Sequence, residues 1–288
     1  MDVTTRVTGK PRELQGPLNH YLFHPLARRL AVLLVPTAVT PNMVSLVGAV
    51  MVMGAGVLYA LVGGVAGVAL GFALHLAWHV VDGADGDLAR LSGRASPVGE
   101  IVDGVCDYAG HVVVYLLLAW TLSAAIGWWA WAAAVAAGAS RIVQSVFAES
   151  QRRTYQWWAY GKPWLQVARQ GGAAPDVGVA NLYLAIWRRL TAETQKVNAI
   201  VASAEADAGE RARIAEIARE VGRRTLPTLG WLGANPRTVA LGLSMTAGSP
   251  LPFFLLEIVP LNLLLLLAVV QQRRAGRRMA QLIARGRR

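Results

Sequence analysis

Residues 82–107 read DGADGDLARLSGRASPVGEIVDGVCD, and the rest of the chain is interpreted around this stretch. Uncharged sequence lies on both sides of it, because no Asp, Glu, Lys or Arg occurs at 30–81 or at 108–140. Apolar stretches of that length are typical of membrane-spanning helices. Carboxylates at the edge of such spans are costly, and their default interpretation is a functional one. The stretch therefore predicts a polar site where two membrane helices end.

The spacing of the carboxylates indicates the kind of site. Asp82 and Asp85 are three residues apart, and Asp103 and Asp107 are four apart. On a helix, both spacings bring the two side chains to one face. Two such helices facing each other would gather four carboxylates, which repel one another unless cations lie among them. Oxygen ligands of this type suit Mg²⁺ or Mn²⁺, and two ions about 3.5–4 Å apart form a clamp for phosphoryl chemistry.

Small and basic residues accompany the carboxylates. Gly86 and Ala89 leave room for a ligand to approach the helix closely. Arg90 offers a planar set of donors that suits phosphate. Gly99, one turn before Asp103, would allow the second helix to pack close to the first.

Together these positions give the pattern D-x-x-D-G-x-x-A-R-x8-G-x-x-x-D-x-x-x-D, which resembles the signature of the CDP-alcohol phosphotransferase family at every fixed position. The resemblance is tight over 82–107, looser over about 35–150 and uninformative over 150–232. It implies a six-helix membrane bundle with its site at the cytoplasmic end. It also implies transfer of a substituted phosphate from a CDP-alcohol to an acceptor hydroxyl, with release of CMP.

The same resemblance implies roles for individual residues. Asp82, Asp85 and Asp103 are expected to bind two divalent ions, Mg²⁺ or Mn²⁺. Asp107 completes the metal site and is the candidate general base. The expected nucleotide and phosphate positions are Gly86, Ala89, Arg90 and Gly99. The candidate acceptor-binding residues are Arg94, Arg141, Arg152 and Arg153. Members of the family are commonly homodimers, and a homodimer is expected here.

The composition agrees with a membrane protein. Hydrophobic residues make up 55% of the 288 residues and charged residues only 16%, against roughly 25% charged in soluble domains. The net charge of +11 is better explained by basic cytoplasmic loops beside anionic lipid than by nucleic acid. A single cysteine excludes a disulfide within the chain. The polar residues 1–17 are not typical of a cleavable signal peptide.

The chain is therefore predicted to be all-α, an integral membrane six-helix bundle with added elements at the N-terminus and in the middle. Its expected segments are a cytoplasmic tail and interfacial amphipathic helix (1–35), spans one to four (36–148), a cytoplasmic helical insertion (149–232), spans five and six (233–272) and a basic cytoplasmic tail (273–288). The six predicted spans are 43–63, 67–90, 97–123, 127–148, 236–250 and 251–271. Within the insertion, 204–224 is predicted to be an amphipathic helix that buries Ile214, Ile217 and Val221.

Basic residues predict the orientation. The loops near 63–67, 124–127 and 247–250 contain no Lys or Arg, whereas 1–29, 90–94, 150–232 and 273–288 contain nearly all of them. The positive-inside rule then puts both termini and the acidic motif on the cytoplasmic side, in a membrane that we interpret as a bacterial inner membrane.

Some choices stay open at this point. CDP-diacylglycerol is the expected donor, but the acceptor alcohol is not defined. A different metal-dependent diphosphate transferase, such as a membrane prenyltransferase, and an ion or proton transporter are the alternatives. His75 and His79, one turn apart, favour packing over contact with nucleotide or metal. Glu257 is expected to pair with Arg141, Arg152 or Arg153.

Overall fold

A computed structural model of the chain describes residues 11–162 and 191–285. These residues are almost entirely helical and include no β-strand, which confirms the all-α class. They form two compact units, the first from the described residues of 11–142 and 233–260 and the second from those of 143–162, 191–232 and 261–285. The predicted polar tail at 1–10, part of the predicted insertion (163–190) and the last three residues lie outside the described residues.

Eleven α-helices account for most of the described residues. They are α1 (His24–Leu34), α2 (Pro41–Val57), α3 (Gly64–Leu91), α4 (Pro97–Ile126), α5 (Trp129–Tyr160), α6 (Ala192–Ser203), α7 (Ala208–Gly222), α8 (Leu226–Trp231), α9 (Ala234–Thr246), α10 (Leu251–Ile258) and α11 (Pro260–Arg285). Short π-helical turns precede α1 at Asn19–Phe23 and follow α2 at Leu58–Val62.

Five of the described helical segments are long and apolar enough to cross a membrane: Pro41–Val62, Gly64–Leu91, Val98–Ile126, Trp129–Tyr160 and Leu251–Arg285. They correspond to five of the six predicted spans. The other prediction, 236–250, falls on α9, which has 13 residues. A helix of that length is only about 20 Å long, less than the ~30 Å hydrocarbon core. The count of six therefore stays a prediction.

Capping residues explain where two of these helices begin. The Thr40 hydroxyl accepts a hydrogen bond from the backbone N–H of Met43, and Pro41 opens α2. In the same way the Ser96 hydroxyl accepts from the N–H of Gly99, and α4 begins at Pro97. Proline at the first helical position loses no hydrogen bond, and the cap satisfies one of the free N–H groups.

In the first unit, α2 packs against both α3 and α4, while α1 and α9 pack against α3. Glycines allow the closest of these approaches. A Cβ on Gly56 of α2 would lie 3.1 Å from the Val114 side chain of α4, and a Cβ on Gly110 of α4 would lie 3.2 Å from Val52 of α2. Helix α2 therefore lies against both α3 and α4, the two helices that carry the aspartates.

Helix α1 lies within the segment predicted to be an interfacial amphipathic helix. Ala27 and Ala31 are buried on one face, and Ala27 contacts α3 beside Gly83. Val32 and Leu33 are exposed. The structure shows the helix and its packed face, and its position at a membrane surface stays a prediction.

The second unit contains the end of α5 together with α6, α7, α8 and α11. The predicted helix at 204–224 is observed as α7, which begins later because Asp207 caps it through the N–H groups of Gly209 and Glu210. Its buried side chains include Ile214 and Val221, as predicted, and Ile217 is half-buried. Indole hydrogen bonds stabilise this unit, from Trp157 to Glu205 at 2.9 Å and from Trp158 to Asn198 at 2.8 Å.

Candidate active site

Three of the four predicted aspartates meet between α3 and α4. Asp82 of α3 and Asp103 and Asp107 of α4 each offer a carboxylate oxygen, and these oxygens lie within 4.8 Å of one another. All three side chains are half-buried, so they remain open on one side. The four-residue spacing of Asp103 and Asp107 therefore produces the shared face that the sequence predicted.

Asp85 lies beside this group and is more deeply buried, with 5% of its surface exposed. Its carboxyl group interacts with both Asp103 and Asp82. The hydroxyl of Ser45 on α2 donates a hydrogen bond of 2.5 Å to Asp85 Oδ2, and the N–H of Gly86 donates to Oδ1. Asp85 is therefore held by hydrogen bonds from α2 and from its own helix α3. We call Asp82, Asp85, Asp103 and Asp107 the aspartate cluster.

The small and basic positions of the motif lie along the same turn of α3. A Cβ on Gly86 would lie 3.3 Å from Arg90 Nη1, so the guanidinium folds back over this glycine. Arg90 also forms a salt bridge of 2.6 Å with Asp87, although half of the arginine side chain is exposed. Ala89 is half-buried. The Arg90 side chain therefore lies at the surface of α3, against Gly86 and Asp87, and is not buried in the bundle.

Gly99 lies in the first turn of α4, where its hypothetical Cβ would be 3.7 Å from Asn42 Oδ1 at the start of α2. Close packing of Gly99 against α3, which the sequence predicted, stays a prediction, because an added Cβ would make only an ordinary van der Waals contact with Asn42. The helix that it contacts through Asn42 is α2.

The four candidate acceptor-binding arginines do not form one group. Arg94 is exposed in the turn between α3 and α4. Arg152 and Arg153 belong to the second unit, where both pair with Glu149 at 3.9 Å and 2.8 Å. Arg152 also donates to the carbonyl of Leu229 at 2.7 Å. Of the four, Arg141 lies within electrostatic reach of Asp107.

Arg141 belongs to a second set of buried charges, which we call the glutamate cluster: Tyr115, Arg141, Arg237 and Glu257. Glu257 is fully buried and lies 3.0 Å from Arg237 and 3.9 Å from Arg141. The Tyr115 hydroxyl donates to Glu257 at 3.1 Å, and its ring lies beneath the Arg141 guanidinium at 6.0 Å. The expected pairing of Glu257 with an arginine is thus observed, and its nearer partner is Arg237.

The histidines are packed inside the first unit, as the sequence favoured. His75 and His79 are both buried and share the hydroxyl of Thr238, at 3.4 Å and 3.0 Å. His79 stacks on Phe23 with ring centroids 4.9 Å apart. His111 of α4 is buried as well, and its Nδ1 donates to the backbone carbonyl of Asp107 at 2.8 Å.

Sequence reasoning missed Ser45, Tyr115, Arg237 as a partner of Glu257, and His111. Ser45 precedes Asp85 by 40 residues on another helix, and no local spacing links the two. The available signal was weaker: Ser45 and His111 are polar residues in charge-free spans, where buried polar groups need partners.

The donor chemistry of the aspartate cluster fits hard divalent cations. Three carboxylate oxygens within 4.8 Å of one another, with a fourth carboxylate adjoining, form an all-oxygen ligand set of the kind that Mg²⁺ and Mn²⁺ prefer. Like charges at this separation raise the energy of the site unless cations or protons neutralise them. The residues present therefore fit the metal that the motif implies.

Comparison with known proteins gives one family. The family model described as CDP-alcohol phosphatidyltransferase matches residues 38–197, a range that contains the whole aspartate cluster. No curated protein matched the chain. Since the family match covers more than half of the 288 residues and includes the helices that carry the site, the chain belongs to the CDP-alcohol phosphatidyltransferase family.

Proposed function

We propose that this protein transfers a phosphatidyl group from CDP-diacylglycerol to an acceptor alcohol, releases CMP, and performs this reaction at the aspartate cluster. The observation that carries the proposal is the meeting of Asp82, Asp103 and Asp107, whose carboxylate oxygens lie within 4.8 Å on two adjacent helices. Membership of the family implies transfer from a CDP-alcohol in a membrane, and the five apolar helices agree with an integral membrane protein.

Two divalent ions would be held by Asp82, Asp85, Asp103 and Asp107. When bound, such ions neutralise the diphosphate and the charge that develops on the departing nucleotide. The chain prepares this ligand set in advance, because Ser45 and the Gly86 N–H fix both oxygens of Asp85. A carboxylate fixed by hydrogen bonds loses less conformational freedom when it binds a ligand.

Asp107 is proposed as the general base that accepts the proton of the acceptor hydroxyl. Its side chain is half-buried at the open side of the cluster, and the His111 imidazole bonds the carbonyl of the same residue. A base that accepts this proton as the oxygen attacks phosphorus contributes about 10²–10⁴-fold to a reaction rate.

The remaining motif residues are proposed to bind the nucleotide and its phosphates. Gly86 and Ala89 leave the surface of α3 accessible beside Asp85, and Arg90 is partly exposed above Gly86. Gly99, in the first turn of α4 with Asn42 as its neighbour on α2, is proposed as a packing or nucleotide-side position. Substrate phosphate would compete with Asp87 for the Arg90 guanidinium, since a bidentate phosphate contact is stronger than an exposed ion pair.

For the acceptor we propose Arg141 over Arg94, Arg152 and Arg153 as the contributing arginine. The reason is its electrostatic interaction with Asp107, the proposed base. An acceptor hydroxyl must come within hydrogen-bond reach of that base, so a cation within electrostatic reach of Asp107 is the best placed of the four to bind the rest of the acceptor.

The membrane arrangement is proposed to include six crossings, with α9 contributing to the fifth, both termini cytoplasmic and the site at the cytoplasmic face. The distribution of Lys and Arg supports this orientation. A homodimer is proposed from the family resemblance. Family membership argues against the prenyltransferase and transporter alternatives. No observation on the described residues favours either of them.

The experiment is CMP release by the purified protein in lipid. CDP-diacylglycerol is supplied with Mg²⁺ or Mn²⁺ and one acceptor at a time: glycerol phosphate, inositol phosphate, inositol, serine or a lipid alcohol. The Asp107→Asn protein serves as the blank. Asp87→Asn is the matched control, because it neutralises a carboxylate of the same motif, on the neighbouring helix α3, that lies outside the cluster.

Acceptor-dependent CMP release that survives Asp87→Asn and disappears in Asp107→Asn supports the proposal and identifies the acceptor. CMP release that is unchanged in Asp107→Asn contradicts the proposal that Asp107 is the general base. Absence of CMP with every acceptor, together with no binding of any CDP compound, contradicts the proposed reaction.

A further inference from the structure

A group of polar side chains lies in the interior of the first unit and is not used by the proposed reaction. It consists of Tyr59 after α2, His75 and His79 on α3, His111 on α4 and Thr238 on α9, and we call it the histidine cluster. Tyr59 and His75 are each 2% exposed, and His79 and His111 are each 6% exposed. These are large polar groups in the interior of a membrane bundle, where unpaired donors and acceptors are costly.

Three atoms of this cluster have no hydrogen-bond partner among the described residues: Tyr59 Oη, His75 Nδ1 and His111 Nε2. Buried polar atoms in native proteins are nearly always paired with protein or ordered water. Three such atoms in one small region therefore indicate a shared bound partner.

The rings are close enough to share that partner. The centroids of His75 and His111 lie 5.7 Å apart, and those of Tyr59 and His75 lie 6.4 Å apart. Each ring nitrogen or hydroxyl reaches about 2.8 Å further to a hydrogen-bonded atom. His75 neighbours both other rings, so a small molecule shared by the three groups would lie against His75.

The tautomers of the rings restrict what the partner can be. His111 Nδ1 donates to the Asp107 carbonyl, so its Nε2 is a bare acceptor and needs a donor. Thr238 can donate to only one of His79 and His75, which it contacts through Nε2 of both. His75 Nδ1 is accordingly an acceptor in one arrangement and an N–H donor in the other.

We propose that ordered water occupies the interior of the histidine cluster and hydrogen-bonds Tyr59 Oη, His75 Nδ1 and His111 Nε2. Water both donates and accepts, so it satisfies either tautomer of His75 as well as the bare nitrogen of His111. Buried waters typically make about three hydrogen bonds. This water connects the π-helical turn after α2 with α3 and α4, and the contact of His75 with Thr238 extends the chain of bonds to α9.

The test uses the sign of a stability change. Tyr59→Phe removes only a hydroxyl and keeps the ring. If that hydroxyl is bonded to water, the variant loses a hydrogen bond and leaves the water underbonded, so its melting temperature in detergent falls below that of the wild type. If the hydroxyl is unpaired, removing it removes a desolvation penalty, and the melting temperature stays equal or rises.

Tyr115→Phe is the matched control, because it removes a buried tyrosine hydroxyl whose partner, Glu257, is visible at 3.1 Å. Its melting temperature falls in either case and calibrates the size of the loss. A cryo-electron microscopy or crystal map that shows ordered waters elsewhere provides the direct measurement. Water density in contact with the three atoms supports the proposal.

A Tyr59→Phe variant at least as stable as the wild type overturns the proposal. So does a map with no density between the rings, or with a metal ion there. None of these outcomes depends on catalytic activity, so the proposed function and the bound water fail separately.

Discussion

The aspartate cluster and the glutamate cluster both consist of buried or half-buried charges in the first unit, but their charges are arranged in opposite ways. In the glutamate cluster, the chain itself supplies opposite charges, with Glu257 held by Arg237 at 3.0 Å and Arg141 at 3.9 Å. In the aspartate cluster, like charges face one another within 4.8 Å. Opposite charges placed together stabilise a fold, whereas like charges placed together prepare a site for a cation.

The difference is also visible in exposure. Glu257 is 0% exposed and the side chain of Arg237 is 1% exposed, whereas Asp82, Asp103 and Asp107 are all half-buried. The Glu257–Arg237 pair therefore has no access for a ligand, whereas the three half-buried aspartates do, and the Arg141 side chain, 14% exposed, is the more accessible edge of the glutamate cluster. The following predictions test this contrast by removing one charge at a time.

The largest effect is expected for Asp107→Asn. Loss of the proposed base and of one metal ligand should lower kcat by about 10²–10⁴-fold, while CDP-diacylglycerol binding is largely kept. Because the change removes one of several like charges, the metal-free variant should unfold no more easily than the wild type. CMP release and thermal unfolding in detergent measure the two expectations.

Asp87→Asn is the control, since its carboxylate pairs with Arg90 outside the cluster. It should retain most of the activity. An Asp107→Asn variant with wild-type turnover, or one that is strongly destabilised without metal, would contradict the contrast between the clusters.

Glu257→Gln should have the opposite signature. The substitution keeps the size of the side chain but leaves Arg237 buried beside a neutral group, with Arg141 nearby. Removing one partner of a buried ion pair costs about 3–5 kcal/mol of the free energy of unfolding. Thermal or denaturant unfolding in detergent measures this loss.

Tyr115→Phe is the matched comparison for Glu257→Gln, because it removes a hydrogen bond to Glu257 and leaves all charges in place. It should destabilise by about 1.5–3 kcal/mol, the range for a hydrogen bond to a charged group. If Glu257→Gln were no more destabilising than Tyr115→Phe, the glutamate cluster would not depend on charge balance.

Metal removal distinguishes the clusters without mutation. Chelation should abolish CMP release and lower the melting temperature, since a ligand at one hundred times its Kd stabilises the folded state by about 2.7 kcal/mol. Added Mg²⁺ or Mn²⁺ should restore both. In Asp82→Asn, which lacks one proposed ligand, the metal-dependent shift should shrink, whereas in Tyr115→Phe it should persist. If the metal-dependent shift in melting temperature were equal in both variants, the aspartate cluster would not be the metal site.

The sequence predicted the aspartate cluster better than the glutamate cluster for a physical reason. Asp82 with Asp85 and Asp103 with Asp107 are local pairs, and the helical repeat alone brings each pair to one face. Thr40-Pro41 and Ser96-Pro97 likewise start helices through contacts within four residues. Local chemistry of this kind can be read from spacing.

Contacts between distant segments could not be read in that way. Glu257 meets Tyr115 across 142 residues, and the pairing depends on how α4 and α10 pack in three dimensions. The same holds for the predicted span at 236–250, where apolar composition indicated a crossing but the helix ends at Thr246. Composition predicts that a segment is apolar, and packing decides how long its helix is.

Ser45 is the residue of the site that local spacing could not reveal, and its substitution gives the smallest expected effect. Ser45→Ala removes the hydrogen bond of 2.5 Å to Asp85 Oδ2 and adds no bulk. Asp85 keeps the Gly86 N–H and its neighbours in the cluster, so the ligand set remains but is less firmly oriented. Loss of such a supporting hydrogen bond typically lowers metal affinity or activity about 10–100-fold.

In Ser45→Ala, half-maximal CMP release should require a higher metal concentration than in the wild type. At saturating metal, the loss of CMP-release rate should be smaller than at low metal. Ser150→Ala is the matched control, because Ser150 is a buried serine whose hydroxyl bonds only a carbonyl of its own helix, that of Phe147, among the contacts described. It should leave the metal titration unchanged. If Ser45→Ala titrated with metal like the wild type, Asp85 would be oriented by α3 alone, and the contribution of α2 to the site would be packing.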